Sequence, residues 1–439
     1  VCSSDLIANA IEKLYGNQLD IVTVQLAQHL HHAGDYNRAF SYYIQAGEQA
    51  ASIYANDEAI SHFSQAIDLL SKLSPDSIYK GKPYQERSRV YEMIGKFEFA
   101  LDDLETALDL TSNIDDPLVK WQILIDLGKL WASRDLHLAK EYFETALDLA
   151  RSIDQPKILA DSLNWVGNWH TNADEPQTAL RFHQEALSIV DQINTPQVLA
   201  NTLDLLGISN LMGGNLKDCV QYYDKAIQLL REANNRRRLV SSLTGRAASY
   251  SMLVLLASIS ETSPLQAHSD ANEAIDIAGE ISSLLDQSWP CWALGLIHTV
   301  QGKFGDALNA LQRGLQIAID FGHNEFEVGL RFGVGALYIE LLDPDQAVAH
   351  LKKSLAMARE LDSRIHMHIS GGLLAGAYLA QKNTALAQLC LDDFISNQTP
   401  MDTAGKRLCW VRKAEIALAQ DDPKRALDII NRLIETAPG

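Results

Sequence analysis

The chain has 439 residues, of which 47% are hydrophobic, and carries 37 basic against 56 acidic side chains, a net charge of −19 at pH 7. This negative balance argues against general contact with nucleic acids or anionic membranes, because both need a positive field. The longest apolar stretch, residues 250–259, is about half as long as a membrane span requires, and the five cysteines show no CxxC spacing. We therefore expect a cytoplasmic protein without membrane contact.

The first six residues, VCSSDL, match the translation of a common sequencing-adapter tail. We interpret residues 1–6 as a non-native leader, so that the natural protein would extend further in the N-terminal direction. The alternative interpretation is that Ser4 or Asp5 simply caps the helix that follows.

From there on, an alanine-led helical motif returns about every forty residues. Its apolar residues follow the 3.6-residue period of a helix, and no segment of useful length alternates as a strand does. We take the leading small residue as the anchor of a second helix, with a first helix before it. The anchors are Ala39, Ala59, Ala100, Ala139, Ala179, Cys219, Ala267, Ala307, Ala347, Ala385 and Ala426.

Most anchors lie 38 to 41 residues apart, but two spacings differ. The first spacing, 20 residues, predicts one helix that closes the first pair and opens the second. The 48 residues before Ala267 predict an insertion around residues 246–266, which either fills local packing or forms a docking edge.

Glycines and prolines keep the same register as the anchors. Glycine twelve residues before an anchor predicts a close approach of the first helix to the second, at Gly47, Gly167, Gly207, Gly295 and Gly335. Glycine five residues before an anchor suits a left-handed turn between them, at Gly34, Gly95, Gly214 and Gly302. Prolines open first helices at Pro117, Pro156 and Pro196 and second helices at Pro176, Pro344 and Pro423. Four of these prolines follow candidate N-caps, namely Asp116, Thr195, Asp343 and Asp422.

This pattern resembles the tetratricopeptide repeat. The Leu206-Gly207 and Leu294-Gly295 pairs match its first helix, and Ala139, Phe143 and Ala146 match its second. The resemblance implies an all-α fold, a right-handed α-solenoid (superhelix) of about ten antiparallel helix pairs with a period near 40 instead of 34 residues. We divide it into residues 7–72, a junction with the first pairs that share a helix, and residues 73–439, the remaining repeats.

In the tetratricopeptide fold, the residues three before the first-helix glycine and one and four after it line a concave groove. Asn164 and Asn168 are four residues apart, so their amides share one helix face and could clamp a peptide backbone, and Trp292 could supply an aromatic anchor. The alternative is that the amides are only solvated and that Trp292 fills the core between repeats. The predicted groove residues are Asn164, Asn168, Thr171, Asp204, Ile208, Leu211, Trp292, Leu296 and Thr299.

Residues that suggest other chemistry have simpler explanations. His29 and His32 share a helix face but lack a third ligand, and His366 and His368 point to different faces. Paired carboxylates occur at helix starts or on polar faces, and no phosphate-binding loop or metalloprotease motif occurs. We therefore predict no catalytic residue, metal or cofactor. The densest basic run, residues 236–238, is either a solvated helix start or a contact with an anion or a partner.

The front of the chain is also similar to the junction between NTPase module and tetratricopeptide sensor in signal-transduction ATPases of the STAND class. The residues that carry this similarity are Leu26, Ala27, His29, Ala33, Gly34, Asp35, Ala39, Tyr43, Ala46, Gly47, Glu48, Ala50, Tyr54, Ala55, Glu58 and Ala59. It implies that the chain is the sensing and oligomerisation arm of a larger NTPase-containing signalling or transcriptional regulator. Its partner would be a protein or peptide in the groove, or a small-molecule inducer. A free-standing repeat scaffold is the alternative, and an enzyme with a hidden site between helices is the remote one.

Overall fold

A computed structural model describes residues 3–16, 22–73, 80–111, 116–193, 195–256, 262–281 and 283–437 and, for 252–256, the backbone alone. These residues form helices and connecting turns, without a strand. The chain divides into two compact units, residues 1–130 (unit 1) and 131–439 (unit 2).

The helices of unit 1 are α1 (Ser3–Tyr15), α2 (Thr23–Ala33), α3 (Tyr36–Ser52), α4 (Asn56–Leu69), α5 (Lys82–Met93), α6 (Phe97–Thr111) and α7 (Pro117–Ala132), whose last two residues fall in unit 2. In unit 1, each helix from α1 to α6 packs on its neighbour in the sequence. The helix predicted to be shared, α3, packs on both α2 and α4. The side-chain amide of Gln49 on α3 donates to Thr23 Oγ1 of α2 at 3.2 Å, while Gly47 on α3 lies against Phe63 of α4.

Unit 2 continues the alternation of first and second helices. The helices are α8 (Leu136–Ser152), α9 (Pro156–Asn172), α10 (Pro176–Ile193), α11 (Pro196–Met212), α12 (Leu216–Glu232), α13 (Arg236–Leu256), α14 (Pro264–Glu280), α15 (Ser288–Val300), α16 (Phe304–Asp320), α17 (Asn324–Glu340), α18 (Pro344–Glu360), α19 (Arg364–Ala380), α20 (Thr384–Asp392), α21 (Ala404–Ala419) and α22 (Pro423–Glu435). Each first helix from α9 to α21 packs on the second helix that follows it. The six predicted prolines stand at the first residue of α7, α9, α10, α11, α18 and α22.

The anchors are buried where each second helix meets its partners, and all but one of the predicted residues are correct. The prediction for Ala385 is wrong, because Ala385 is exposed and Ala387 is fully buried. The register is set by the N-cap, which stands four residues before the anchor: Asn383 accepts a hydrogen bond from the backbone of Leu386. The same capping occurs at Asp35, Asp135, Asn215, Ser263, Asp343 and Asp422. Thr195 precedes α11 as predicted but makes no capping hydrogen bond.

In nine pairs, the turn between the two helices has the left-handed conformation that the glycines predicted. Gly34, Gly95, Gly214 and Gly302 have φ between +71° and +84°. The equivalent residue in other pairs is not glycine but still has φ near +60°, at Tyr54, Asp174, Leu342, Lys382 and Asp421. Several residue types therefore adopt this conformation at these turns, and glycine adopts it without strain.

The glycines twelve residues before the anchors lie where the two helices of a pair come closest. A Cβ added to Gly335 would lie 2.4 Å from Leu351 Cγ, and one added to Gly47 would lie 2.5 Å from the Phe63 ring. In each case the neighbour is the residue four positions after the anchor. This confirms that a small residue is needed there for close packing.

A repeated ion pair locates the insertion. Arg87 on α5 makes a two-pronged contact with Asp103 on α6, with N–O distances of 2.7 and 2.8 Å. Arg246 on α13 makes the same contact with Asp270 on α14, at 2.8 Å for both. These partners are 16 and 24 residues apart, so the eight extra residues (24 minus 16) lie between Arg246 and Asp270. Part of them lengthens α13 to 21 residues, against 17 in α9 and α11.

Candidate partner-binding site

In each repeat, the first predicted groove residue lies fifteen residues before the anchor. The structure places these residues against the first helix of the following pair. The amide of Asn164 on α9 donates to Thr202 Oγ1 on α11 at 2.8 Å. The carboxylate of Asp204 on α11 accepts from Ser242 Oγ on α13 at 2.6 Å. Gln85 and Asp126 repeat this contact in unit 1 at 3.0 Å. The spacing of 38 to 41 residues between partners is that of the repeat itself.

Seven of the nine predicted groove residues are buried, and two are half-buried. Trp292 stacks on Trp289, with ring centroids 4.4 Å apart, and meets the Phe332 ring edge-on. The Thr171 and Ser209 hydroxyls lie 2.8 Å apart between α9 and α11. Trp292 thus packs in the core, as its alternative interpretation held, whereas Asn164 is buried and not solvated. The seven buried residues are Asn164, Thr171, Asp204, Leu211, Trp292, Leu296 and Thr299.

The half-buried residues are Asn168 and Ile208, each eleven residues before its anchor on successive first helices. They therefore occupy equivalent places on α9 and α11. The groove assignment stays a prediction, and these two residues are its accessible members.

The first helices of unit 2 also meet across its interior. In addition to its sequence neighbours, α9 packs on α19, and α21 packs on both α11 and α13. Unit 2 therefore closes on itself through contacts between first helices that are far apart in the sequence. Sequence periodicity describes only neighbouring pairs, so it did not predict this closure.

A polar cluster holds one side of the closure, formed by Asp174 in the α9–α10 turn, His368 on α19, and Thr403 and Lys406 at the start of α21. We call these four residues the closure cluster. Thr403 Oγ1 donates to Asp174 Oδ2 at 3.0 Å, and His368 Nδ1 lies 2.6 Å from the same oxygen. Lys406 Nζ lies 3.7 Å from Asp174 Oδ2 and donates to the Asp174 carbonyl oxygen at 3.2 Å. The Asp174 side chain is 1% exposed.

The other side of the closure joins two helix ends. The Leu136 N–H, at the start of α8, donates to the Leu361 carbonyl oxygen just beyond α18 at 3.4 Å. Such groups have no partner within their own helix, so each end supplies what the other lacks. The Leu136 carbonyl in turn accepts from Trp169 Nε1 at 2.6 Å, and both leucines are buried.

No family model matches the chain, and no curated protein matches it. Solved structures do match it. The crystal structure of a Rap protein complexed with competence and sporulation factor aligns with 79% of this chain and 99% of its own, at 12% identity and a TM-score of 0.50. Together with anchors, close glycines and left-handed turns repeated from pair to pair, this likeness decides the fold. The chain is an array of tetratricopeptide-like helix pairs.

Two further structures are similar to the array over more of its length. Yeast Tom70 covers 96% of this chain at 15% identity and a TM-score of 0.41. A STAND protein with a tetratricopeptide repeat sensor from Pyrococcus horikoshii covers 91% of it at 12% identity and a TM-score of 0.38, with 52% of that protein's own length aligned.

Burial lowers the pKa of two histidines in the array's interior. The pKa of His183 falls to about 3, and its ring donates to Asn164 Oδ1 at 3.1 Å. The pKa of His366 falls to about 4, and its Nδ1 lies 2.7 Å from Ser363 Oγ. Both rings are therefore neutral near pH 7, and both serve packing.

The remaining candidate residues take part in local contacts. His31 meets the Tyr36 and Tyr43 rings edge-on, and His32 contacts the Gln28 carbonyl. Arg236 pairs with Glu280, and Arg237 with Asp286 at 3.0 Å. Across the described part of the chain, no group of three or more His, Cys, Asp or Glu is arranged to hold a metal ion. Nor is any described helix long and apolar enough to cross a membrane.

Proposed function

We propose that the array is a protein-interaction module that binds a peptide segment or partner domain on the first-helix face of unit 2. The observation that carries this proposal is the continuous face that successive first helices build, with Asn168 and Ile208 half-exposed at equivalent positions. Stacked repeats create extended surfaces of this kind, on which a chain can lie across several repeats. The Rap structure of the same fold is a complex with competence and sporulation factor, which is consistent with such a role.

The proposed ligand contacts follow from the chemistry of these two residues. The Asn168 amide offers both a donor and an acceptor, which suits a peptide backbone. Ile208, one pair further along, offers an apolar surface for a side chain. Trp292, Leu296 and the other buried members of the predicted set support the face from within.

Selection from a random-peptide phage library on the immobilised chain, followed by calorimetry with the selected peptide, tests the proposal. Asn168→Ala is expected to weaken binding about tenfold, since a lost hydrogen bond at an interface costs about 1 kcal/mol or slightly more. Ile208→Asp should weaken binding further. Asn309→Ala is the matched control, because Asn309 is exposed on the second helix α16, and we expect no change.

Asn164 is unsuitable as a test residue, because it is buried between His183 and Thr202 and its removal would disturb packing. Failure to select any peptide would overturn the proposed function. A selected peptide that binds Asn168→Ala and Ile208→Asp as tightly as the wild type would overturn the placement of the site.

At a finer level, we propose that the array is the sensing and oligomerisation arm of a larger NTPase-containing cytoplasmic regulator. Support comes from the front end, where the STAND-like residues Ala39, Tyr43, Gly47 and Ala50 form the buried face of the shared helix α3. The test is the coding sequence that precedes residue 7. A GxxxxGK[ST] loop in the same reading frame would support this role. A complete reading frame without one would leave a free-standing scaffold.

A further inference from the structure

We propose that the closure cluster is a latch, which holds unit 2 closed and controls partner access to its first-helix face. The inference rests on the proposed function for its biological meaning, but the latch itself is a property of the fold. A latch requires that the closed form of unit 2 depend on these four residues. It also requires that unit 2 be stable when they separate.

The first requirement follows from the position of Asp174. Its carboxylate is buried in the α9–α10 turn, and the polar side chains that contact it are Thr403, Lys406 and His368. These residues follow it by 229, 232 and 194 positions. A buried carboxylate is costly unless charged or hydrogen-bonding partners compensate it. Closure without them would therefore be unfavourable.

The second requirement follows from alternative partners on the α21 side. Thr403 is the N-cap of α21, and its Oγ1 accepts from the Lys406 backbone N–H at 3.3 Å while donating to Asp174. Its capping role survives when Asp174 leaves. Lys406 Nζ also contacts Asp402 Oδ1 at 3.0 Å, and Asp402 is exposed. Lys406 thus keeps a counter-charge in the open state.

On the other side, an open latch leaves Asp174 at the tip of a surface turn, where water can solvate its carboxylate. Its φ of +62° is shared by the equivalent exposed residue Asp421, so the turn does not depend on the latch. When closed, both halves have polar partners, although Asp174 Oδ1 has no hydrogen bond, and when open both have a partner or water. This is the condition for a two-state element whose equilibrium a ligand can shift.

The latch is connected directly to the proposed site. Asp174 immediately follows α9, the helix that carries Asn164, Asn168 and Thr171, and closure places α9 against α19. Separation of the cluster would release α9 from α19 and uncover more of the face on which Asn168 lies. A partner that binds this face would then favour the open state.

Small-angle X-ray scattering of the full chain tests the latch without any ligand. Asp174→Asn removes the charge but keeps a side chain that tolerates a left-handed turn, and the open population should rise roughly 100-fold, as expected for loss of one partner of a buried ion pair. The radius of gyration should therefore increase. Asp421→Asn is the matched control, because it makes the same change at the same turn position outside the cluster, and its scattering should equal that of the wild type.

Two further variants protect the test against misfolding. Lys406→Met should open unit 2 partially, whereas Thr403→Ser keeps both cap and donor and should stay closed, with helical circular dichroism unchanged in each. If Asp174→Asn and Lys406→Met retain the wild-type radius of gyration and helical content, the latch is overturned.

The selected peptide then separates the latch from the proposed function. Tighter binding to Asp174→Asn than to the wild type is the expected result. Equal binding to an opened variant would overturn control of access while leaving the proposed function standing. If no peptide is selected but Asp174→Asn opens, the proposed function fails and the latch remains.

Discussion

At the residue scale, the position four residues after each anchor decides how closely a pair can pack. In the α9–α10 pair, the residue at this position is His183. In other pairs it is Phe63, Tyr223 or Leu351, and each of them packs against a glycine of the first helix. His183 is fully buried against Gly167. A chain of hydrogen bonds runs from His183 through Asn164 and Thr202 to the Val198 carbonyl. The histidine thus links packing within a pair to packing between pairs.

We expect His183 to make the array sensitive to acid. Its pKa is lowered in the folded state to about 3, so its stabilising contribution is complete above the unfolded value of about 6.5 and is lost as the pH falls toward 3. Between pH 6.5 and 5 this loss is about 1.6 kcal/mol. His183→Phe should remove it, and urea unfolding at several pH values measures the change in slope.

The exposed residue His137 provides a control for the introduction of a phenylalanine side chain. His137→Phe should leave the helical circular dichroism unchanged. A His183→Phe variant with the full wild-type loss of stability between pH 6.5 and 5 would contradict the assignment. Burial also lowers the pKa values of His323 and His366 to about 4. Because all the variants retain these two histidines, their contribution to the pH dependence of stability is common to all of them.

At the element scale, the turn within a pair accepts many residue types, but the energetic cost of its left-handed conformation differs among them. Leu342 is 86% exposed and has φ +58°, a conformation that costs an ordinary residue about 1 to 2 kcal/mol. Leu342→Gly removes this strain. Part of the resulting gain in stability is lost, because glycine has more conformational freedom in the unfolded chain. We expect a net stabilisation of about 0.5 to 1 kcal/mol, measured from the midpoint of urea unfolding.

The neighbouring residue Leu341 has φ −76°, where glycine offers no advantage. Leu341→Gly should therefore destabilise the array by roughly 0.5 to 1 kcal/mol. Destabilisation by Leu342→Gly to the same extent would show that the turn does not strain its leucine.

Most elements could be predicted from the sequence, because each obeys a short-range rule. Prolines at first turns, glycines in left-handed turns and small residues at close helix contacts act within one pair. The error at Ala385 has the same origin: residues 385–387 read Ala-Leu-Ala, and both alanines fit the spacing. Asn383 identifies Ala387, because an N-cap precedes the anchor by four residues in seven described second helices. The capping residue was thus the signal that the spacing alone missed.

At the scale of the whole molecule, the candidate site could be predicted only in part. The repeat pattern identifies first helices and their faces, but not whether those faces remain accessible. Asn164 and Asp204 satisfy a groove pattern, yet in this array they bond to the next first helix. Closure depends on contacts such as that of Asp174 with Thr403, which are too distant in sequence for periodicity to register.

Unit 2 is a repeat stack that closes on itself, with Asp174 at the contact. Pulsed electron spin resonance between labels on non-natural residues at positions 177 and 402 tests this closure most directly. Both positions are exposed, and they lie three residues from Asp174 and one from Thr403. We predict one narrow distance distribution centred at roughly 20–30 Å, given a reach of about 3.5 Å per residue. A distribution lying wholly beyond roughly 40 Å would contradict closure and, with it, the latch.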